Sequence, residues 1–240
     1  MSAKYKSPSF LLPNEINTNT NPLNTDSDPA TGTGVNSLYS MDFNGNDEYI
    51  SAGSIDITGN KTLSMWFKTS SINTNQGLFE MMPDPNTSDY LSVWIYNSKI
   101  ITDAANSGSS QKASSVLNAN TWYNLVITKT SGVINNVYIN GVDDTQTSAT
   151  GLGWLGGRNN LYIGATYQGT AYANEFAGLI SNAQIFNTVL SATEVSTLYN
   201  YGSPIRTLAN IPQNSNLKAC LLYTSPSPRD RTRSRMPSSA

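Results

Sequence analysis

The sequence has no histidine, and that absence removes the commonest general base and the commonest transition-metal ligand at once. Its single cysteine, Cys220, excludes an intrachain disulfide framework and a cysteine-based zinc site. Charge is scarce too: 12% of residues are Asp, Glu, Lys or Arg, too few for a coiled coil or a charge-driven disordered segment. No apolar run approaches the roughly 18 residues of a membrane span. The opening MSAKYKSPSFLLPNE has neither a long apolar core nor a small-residue cleavage pattern, so no signal peptide is recognised. A virion or extracellular location is then expected by another route, such as assembly on a particle released by lysis.

The last stretch differs from the rest. From Cys220 the chain reads CLLYTSPSPRDRTRSRMPSSA, a basic, Ser/Pro-rich composition. CLLYTSPSPRD and SRMPSSA both resemble in-frame translations of one transposon-type sequencing adapter, at the separation such an adapter has. Residues 220–240 are therefore expected to be adapter-derived, with the natural protein continuing beyond Ala219 after a linker over 203–219. Without that tail the net charge moves from −2 to −5 and the cysteine disappears. Only Arg158 and Arg206 then remain as arginines, and no basic stripe offers itself to a nucleic acid.

Residues 13–34 have almost no large apolar side chain after Leu23, so residues 1–34 read as an extended or disordered linker. From Leu38 the pattern turns to strands. LYSMDFNG sets Tyr39, Met41 and Phe43 against Leu38, Ser40 and Asp42, and TLSMWFK sets Leu63, Met65 and Phe67 against Ser64, Trp66 and Lys68. YLSVWIY, WYNLVIT, NVYING and NLYIGAT are further short runs of β-branched and aromatic residues. Asn140-Gly141 is a hairpin signal, because both positions of that turn need φ > 0. One helix is expected: Ser191 and Glu194 form a capping box, Val195, Leu198 and Tyr199 share a face, and Gly202 can end it. Strands at this spacing without intervening helices predict an all-β, antiparallel sandwich or barrel over residues 35–202.

The order of these pieces resembles the laminin-G-like jelly-roll family of the concanavalin A-like lectin/glucanase superfamily. SLYSMDFNGNDEYISAG is similar to its opening FDGxxDYV block, and TLSMWFK to its TISxWVK strand. NANTWYNLVITKTSGVINNVYINGV resembles the block in which a Trp precedes a strand and an Asn-Gly hairpin. The segment from LYIGATYQG to LSATEVSTLYNYG resembles the closing strands and helix, and Trp66 and Trp122 fall at structural family positions. The likeness covers about residues 37–202 and implies a jelly-roll β-sandwich with one short C-terminal helix. A softer resemblance, in the linker and the Asn/Thr usage, is to phage structural and tail-fibre proteins.

Glycosidases of this superfold use an E-x-D-x-x-E run that places carboxylates on one strand face. No such run is present, and Asp143-Asp144, adjacent after a turn, read as solvated turn residues. The chain is expected not to be an enzyme; Asp47, Glu80, Asp84 and Asp89 are the carboxylates a hydrolase would have to use. The resemblance also implies possible Ca²⁺ binding between the opening loop and a closing Gly-x-Ile-Asp-Glu run. Asp47 keeps the first acidic position, but the closing run is Gly178-Leu179-Ile180-Ser181-Asn182, leaving Asp47 and Asn182 as the metal candidates against an Asx-stabilised turn. For a ligand, Tyr167 and Tyr172 in a loop and Tyr90 on a strand are the candidates, whereas Trp94 and Tyr96 read as core. The function expected is a carbohydrate- or surface-binding module of a phage fibre or adhesion protein, with a glycan or host surface as partner. The alternative is a structural spacer that assembles as a homo-oligomer without a ligand.

Overall fold

The computed structural model describes residues 4–5, 40–56, 59–82, 90–105, 111–113, 115–130, 133–146, 158–167, 172–202 and 208–221. The expected linker beyond residues 4–5, Asp84, Asp89 and the tail from residue 222 lie outside these. In chain order the strands begin with β1 (Lys4–Tyr5), β2 (Met41–Asn44), β3 (Glu48–Asp56), β4 (Lys61–Thr69) and β5 (Gln76–Met82). They continue with β6 (Tyr90–Tyr96), β7 (Lys99–Ala105), β8 (Gln111–Ala113), β9 (Tyr123–Thr130), β10 (Val133–Ile139) and β11 (Val142–Asp143). The last are β12 (Arg158–Ile163), β13 (Thr166–Tyr167), β14 (Tyr172–Ala173), β15 (Ala177–Phe186) and, after helix α1 (Ala192–Tyr199), β16 (Leu217–Leu221).

These strands build two sheets and a small hairpin. The first sheet runs β1-β3-β12-β5-β6-β7-β8, and the second runs β11-β10-β9-β4-β15-β16 with β2 also on β15. Apart from the parallel β1–β3 pair, the described pairings are antiparallel. The chain is thus the antiparallel jelly-roll sandwich expected from the sequence, with one short helix.

Period-two alternation decides what fills the sandwich. Ile50, Phe79, Leu91, Val93, Ile95 and Ile163 of the first sheet meet Leu63, Met65, Phe67, Leu125, Ile127 and Ile185 of the second in one buried cluster. Met41 and Phe43 are buried while Asp42 and Asn44 are exposed, as the alternation of that run predicts. Phe67 and Phe176 pack edge-to-face, as do Phe43 and Phe176, which ties β2 and β4 to the entry of β15.

The second sheet is buried on both faces. Its outer face presents Val126, Tyr138 and Phe186, covered by Leu190, Val195, Leu198, Ile211 and Leu217. Beside them Trp66 stacks on Tyr199 at 5.8 Å, next to Trp122. Helix α1 therefore forms a third layer. Its capping box is present as expected, with the Glu194 N–H donating to Ser191 Oγ and the Ser191 N–H to the Glu194 carboxylate. The helix ends one turn before Gly202. Asn200 takes the left-handed conformation at φ 44° and its N–H donates to the Ser196 carbonyl, a role asparagine shares with glycine.

The segment after residue 202 corrects the expected domain boundary. Leu217–Leu221 is a strand of the second sheet, with Phe186 opposite Leu217 and Ile185 opposite Ala219, and Ile211, Leu217 and Ala219 are buried. The linker read over 203–219 is thus, in its second half, part of the sandwich. The strand continues through Cys220 and Leu221, opposite Gln184 and Ala183, because a strand asks only for backbone groups and compatible alternation.

Glu194 joins this segment to the helix. Its Oε1 accepts from Gln213 Nε2 at 2.6 Å, and this bond, followed by that from the Ser191 backbone, holds the carboxyl below the usual carboxylate range. A depressed folded pKa adds stability that is present above the ordinary carboxylate pKa of ~4.3. It is lost as pH falls through the lower folded value. Substitution Glu194→Ala is expected to cost about 1 kcal/mol at neutral pH. That difference from the parent should close in acid. Chemical denaturation of both proteins from neutral to acid pH measures it; a gap unchanged by pH would refute the assignment.

Candidate binding face

The outer face of the first sheet is built differently from that of the second. Ser51, Tyr162, Glu80, Ser92, Asp103 and Gln111 form one register row across β3, β12, β5, β6, β7 and β8. Because Ile50, Phe79, Val93 and Ile163 point inward, Ser51, Glu80, Ser92 and Tyr162 lie on the outward face. Glu80 is only 2% exposed there and accepts a hydrogen bond from the Ser92 hydroxyl. A second row, Gly77, Trp94, Ile101 and Ala113, runs beside it.

Aromatic side chains stand around the Glu80–Ser92 pair. Tyr90 and Trp94 flank Ser92 two residues away on either side along β6, and both are half-buried. At the other end Tyr162 and Tyr49, also half-buried, pack edge-to-face at 6.1 Å. Tyr96, next along β6, is 47% exposed. Trp94 and Tyr96 share a face as expected, but it is the outward face and not the core. In YLSVWIY the wholly aliphatic set Leu91, Val93 and Ile95 takes the inside, and the set of Ser92 and the aromatics with polar edges takes the outside.

Tyr167 and Tyr172 come together as opposite members of the β13–β14 hairpin. Gly77 holds that hairpin in place. Its N–H donates to the Asn174 carbonyl at 2.6 Å, and Asn174 Nδ2 donates to Thr166 Oγ1 at 2.8 Å. A Cβ on Gly77 would meet the Ala165 backbone at 2.4 Å, so only glycine admits this crossing. Since Gly77 is opposite Trp94, the hairpin lies at the Trp94 end of the face. Tyr90 is four residues farther along β6, ~13 Å away. The structure thus places Tyr90 on this face, joins Tyr167 to Tyr172, and keeps Tyr90 apart from that hairpin.

The two metal candidates are not brought together. Asn44 Oδ1 accepts from the N–H groups of Asn46 and Asp47, and Asn44 Nδ2 donates to Asp47 Oδ1 at 2.8 Å. This Asx turn is seated at Ala177, the partner of Asn44. Asn182 is five residues on, in the β15 bulge at φ 46°, and its Oδ1 accepts from Ser181 Oγ. Five strand residues span ~16 Å, against Ca²⁺–oxygen distances of ~2.3–2.6 Å. Asp47 and Asn182 therefore do not fit one Ca²⁺ ion. Among the described residues no group of three or more Asp, Glu, His or Cys side chains converges for a metal. Asp143 and Asp144 serve the turn: Asp143 binds Thr145 and Asn136, and Asp144 binds the Ser115 N–H and hydroxyl.

A two-sheet sandwich with a helix sealing one outer face and aromatics on the other defines a lectin-like β domain. The chain belongs to the concanavalin A-like lectin/glucanases superfamily, whose family model matches residues 44–196. No curated protein sequence matches the chain significantly. Among solved structures it is similar to a heptameric SAP-like pentraxin from Limulus polyphemus, with 16% identity, 69% of this chain and 84% of that one covered, and a TM-score of 0.54. It is similar to domain 4 of AbnA, a GH43 extracellular arabinanase from Geobacillus stearothermophilus in complex with arabinotriose (21% identity, 67% and 76% covered, TM-score 0.54). The Ruminococcus gnavus IT-sialidase CBM40 bound to α2,3 sialyllactose is another (15% identity, 67% and 96% covered, TM-score 0.52). At these identities the likeness is one of fold.

Proposed function

We propose that the domain is a non-catalytic carbohydrate-binding module of a surface-adhesion protein of the phage-fibre kind, acting at a virion or cell surface. The observation that carries this reading is the contrast between the two outer faces. The second sheet's is closed by α1 and the segment up to Leu217, whereas the first sheet's presents Tyr49, Tyr90, Trp94 and Tyr162 half-buried around a polar pair. Such rings offer broad apolar area at little entropic cost and pack on the apolar faces of sugars, while neighbouring polar groups set orientation. Two fold neighbours, the arabinanase domain and the CBM40, are complexes with sugars. The sequence has no E-x-D-x-x-E run, the carboxylate pattern that hydrolysis on this superfold uses, which speaks against hydrolysis. The Asn/Thr-rich leader supports the fibre-like setting.

Glycan-array and calorimetric binding test the proposal. Substitution Trp94→Ala is expected to weaken glycan binding by about tenfold or more, with the melting temperature little changed. A folded protein that binds no glycan would favour the spacer role instead.

A further inference from the structure

We infer that the β2–β3 turn is locked by an amide where the family resemblance implies a Ca²⁺ ion, so that the sandwich holds its fold without a divalent cation, whatever the first sheet's face binds. The lock is Asn44, which bonds through both its side chain and its backbone. Its Nδ2 donates to Asp47 Oδ1 at 2.8 Å, and its backbone N–H donates to Glu48 Oε2 at 2.8 Å. Its Oδ1 accepts from the N–H groups of Asn46 at 2.9 Å and Asp47 at 3.3 Å. Both carboxylates of the turn therefore receive an N–H donor from one residue, in bonds strengthened by the charge of the acceptor. Gly45, at φ 74°, seats the turn on β15. A Cβ there would lie 2.8 Å from that of Ala177, itself opposite Asn44.

A Ca²⁺ ion asks for about six to eight oxygen ligands. Asp47 Oδ1, Glu48 Oε2 and Asn44 Oδ1 already face N–H groups, and an ion drawing on them would have to break those bonds. The far side of the implied site does not come to meet it either. Ser181 and Asn182 bond to each other in the β15 bulge, and Asn182 lies ~16 Å along the strand from Ala177. The turn thus satisfies its own carboxylates with neutral donors. Asn44 is the deciding residue. With an amide there, Asp47 has a donor in place of an ion. With a carboxylate there, three acid groups would crowd one turn and repel one another, and a cation would be their counter-charge.

Thermal melts and calorimetry on the full chain, with CaCl₂ as the only added ligand, test this. Melts of the parent in EDTA and in ~10 mM CaCl₂ should agree within about 1 °C, with no heat of Ca²⁺ binding. A site with a dissociation constant of ~0.1–1 mM would raise the melting temperature by about 3 °C or more, and that result overturns the inference. Asn44→Asp is expected to melt about 5 °C below the parent in EDTA. It should recover at least about half of that loss in CaCl₂, beyond what NaCl of equal ionic strength restores. Asn44→Ala, which removes the amide without adding charge, should also be destabilised but should not respond to CaCl₂. If both variants melt like the parent, the amide does not hold the turn. If Asn44→Asp recovers no more in CaCl₂ than in NaCl, the amide does not stand where a cation would. Either outcome overturns the inference. An Asn44→Asp chain that folds only on addition of CaCl₂ supports it; if that chain folds in neither medium, the melts of the parent and of Asn44→Ala decide.

Discussion

A chain shortened after Gly202 is expected to melt at least about 10 °C below the full-length protein. The reason is the outer face of the second sheet. Ile211 and Leu217 are both about 2% exposed, packed on the layer that holds Val126, Phe186, Val195 and Leu198. Burying an Ile or Leu side chain contributes about 1.5–3 kcal/mol, so these two alone contribute about 3–6 kcal/mol. Domain stabilities are about 5–15 kcal/mol in total. Shortening also removes the pairing of β15 with β16 over Ala183–Phe186 and the Gln213 bond to Glu194. Thermal and urea melts of the shortened and full chains measure the loss. Leu217→Asp in the full chain separates packing from length, and should by itself remove a large part of the stability. Unchanged melting of both would show that the segment does not belong to the sandwich.

This boundary shows what alternation reveals and what it hides. The run around Met41–Phe43 declares a strand and its buried set, and the structure follows it; those around Leu63–Phe67 and Tyr123–Ile127 declare strands, but both of their faces are buried because the helix layer covers the outer one. Leu217-Lys218-Ala219 is too short to declare itself, and the change of composition at Cys220 interrupts it. Its partners, Phe186 and Ile185, lie about thirty residues upstream, and no local signal carries that pairing. The capping box is the opposite case, since Ser191 and Glu194 satisfy each other within one turn.

The candidate face was legible only in part. Alternation shows that Tyr90, Trp94 and Tyr96 share a side; the large apolar rings suggest core, while Ser92 among them and the wholly aliphatic Leu91, Val93 and Ile95 opposite point the other way, and the structure follows the latter. Likewise Glu80 carries no motif; its meaning arises from the row that places Tyr162 and Ser92 beside it across strands far apart in sequence. Asp47 and Asn182 illustrate the converse. A family-like order of residues predicted that they meet, yet the register of β2 on β15 holds them five strand residues apart.

Substitution Gly77→Ala is expected to cost about 3 kcal/mol or more, at the upper end of what overpacking does. The new methyl would sit 2.4 Å from the Ala165 carbonyl carbon and 2.6 Å from the Thr166 nitrogen, both backbone atoms. A flexible side-chain tip could turn away, but this backbone cannot. It is bracketed by buried Ile163 and Phe176 and stitched by the Gly164 N–H to the Leu78 carbonyl and the Phe176 N–H to the Gly164 carbonyl. Relief must come from moving the hairpin that carries Tyr167 and Tyr172, and with it the end of the face where Trp94 stands. Gly59→Ala is the matched control. At φ +69° with nothing within 4 Å of its Cβ position, it tests backbone conformation alone and should cost about 1 kcal/mol. Denaturation of both variants, read beside their glycan affinity, decides the point. If Gly77→Ala is the milder of the two, or leaves binding untouched while destabilising the fold, the hairpin has no part in shaping the binding face.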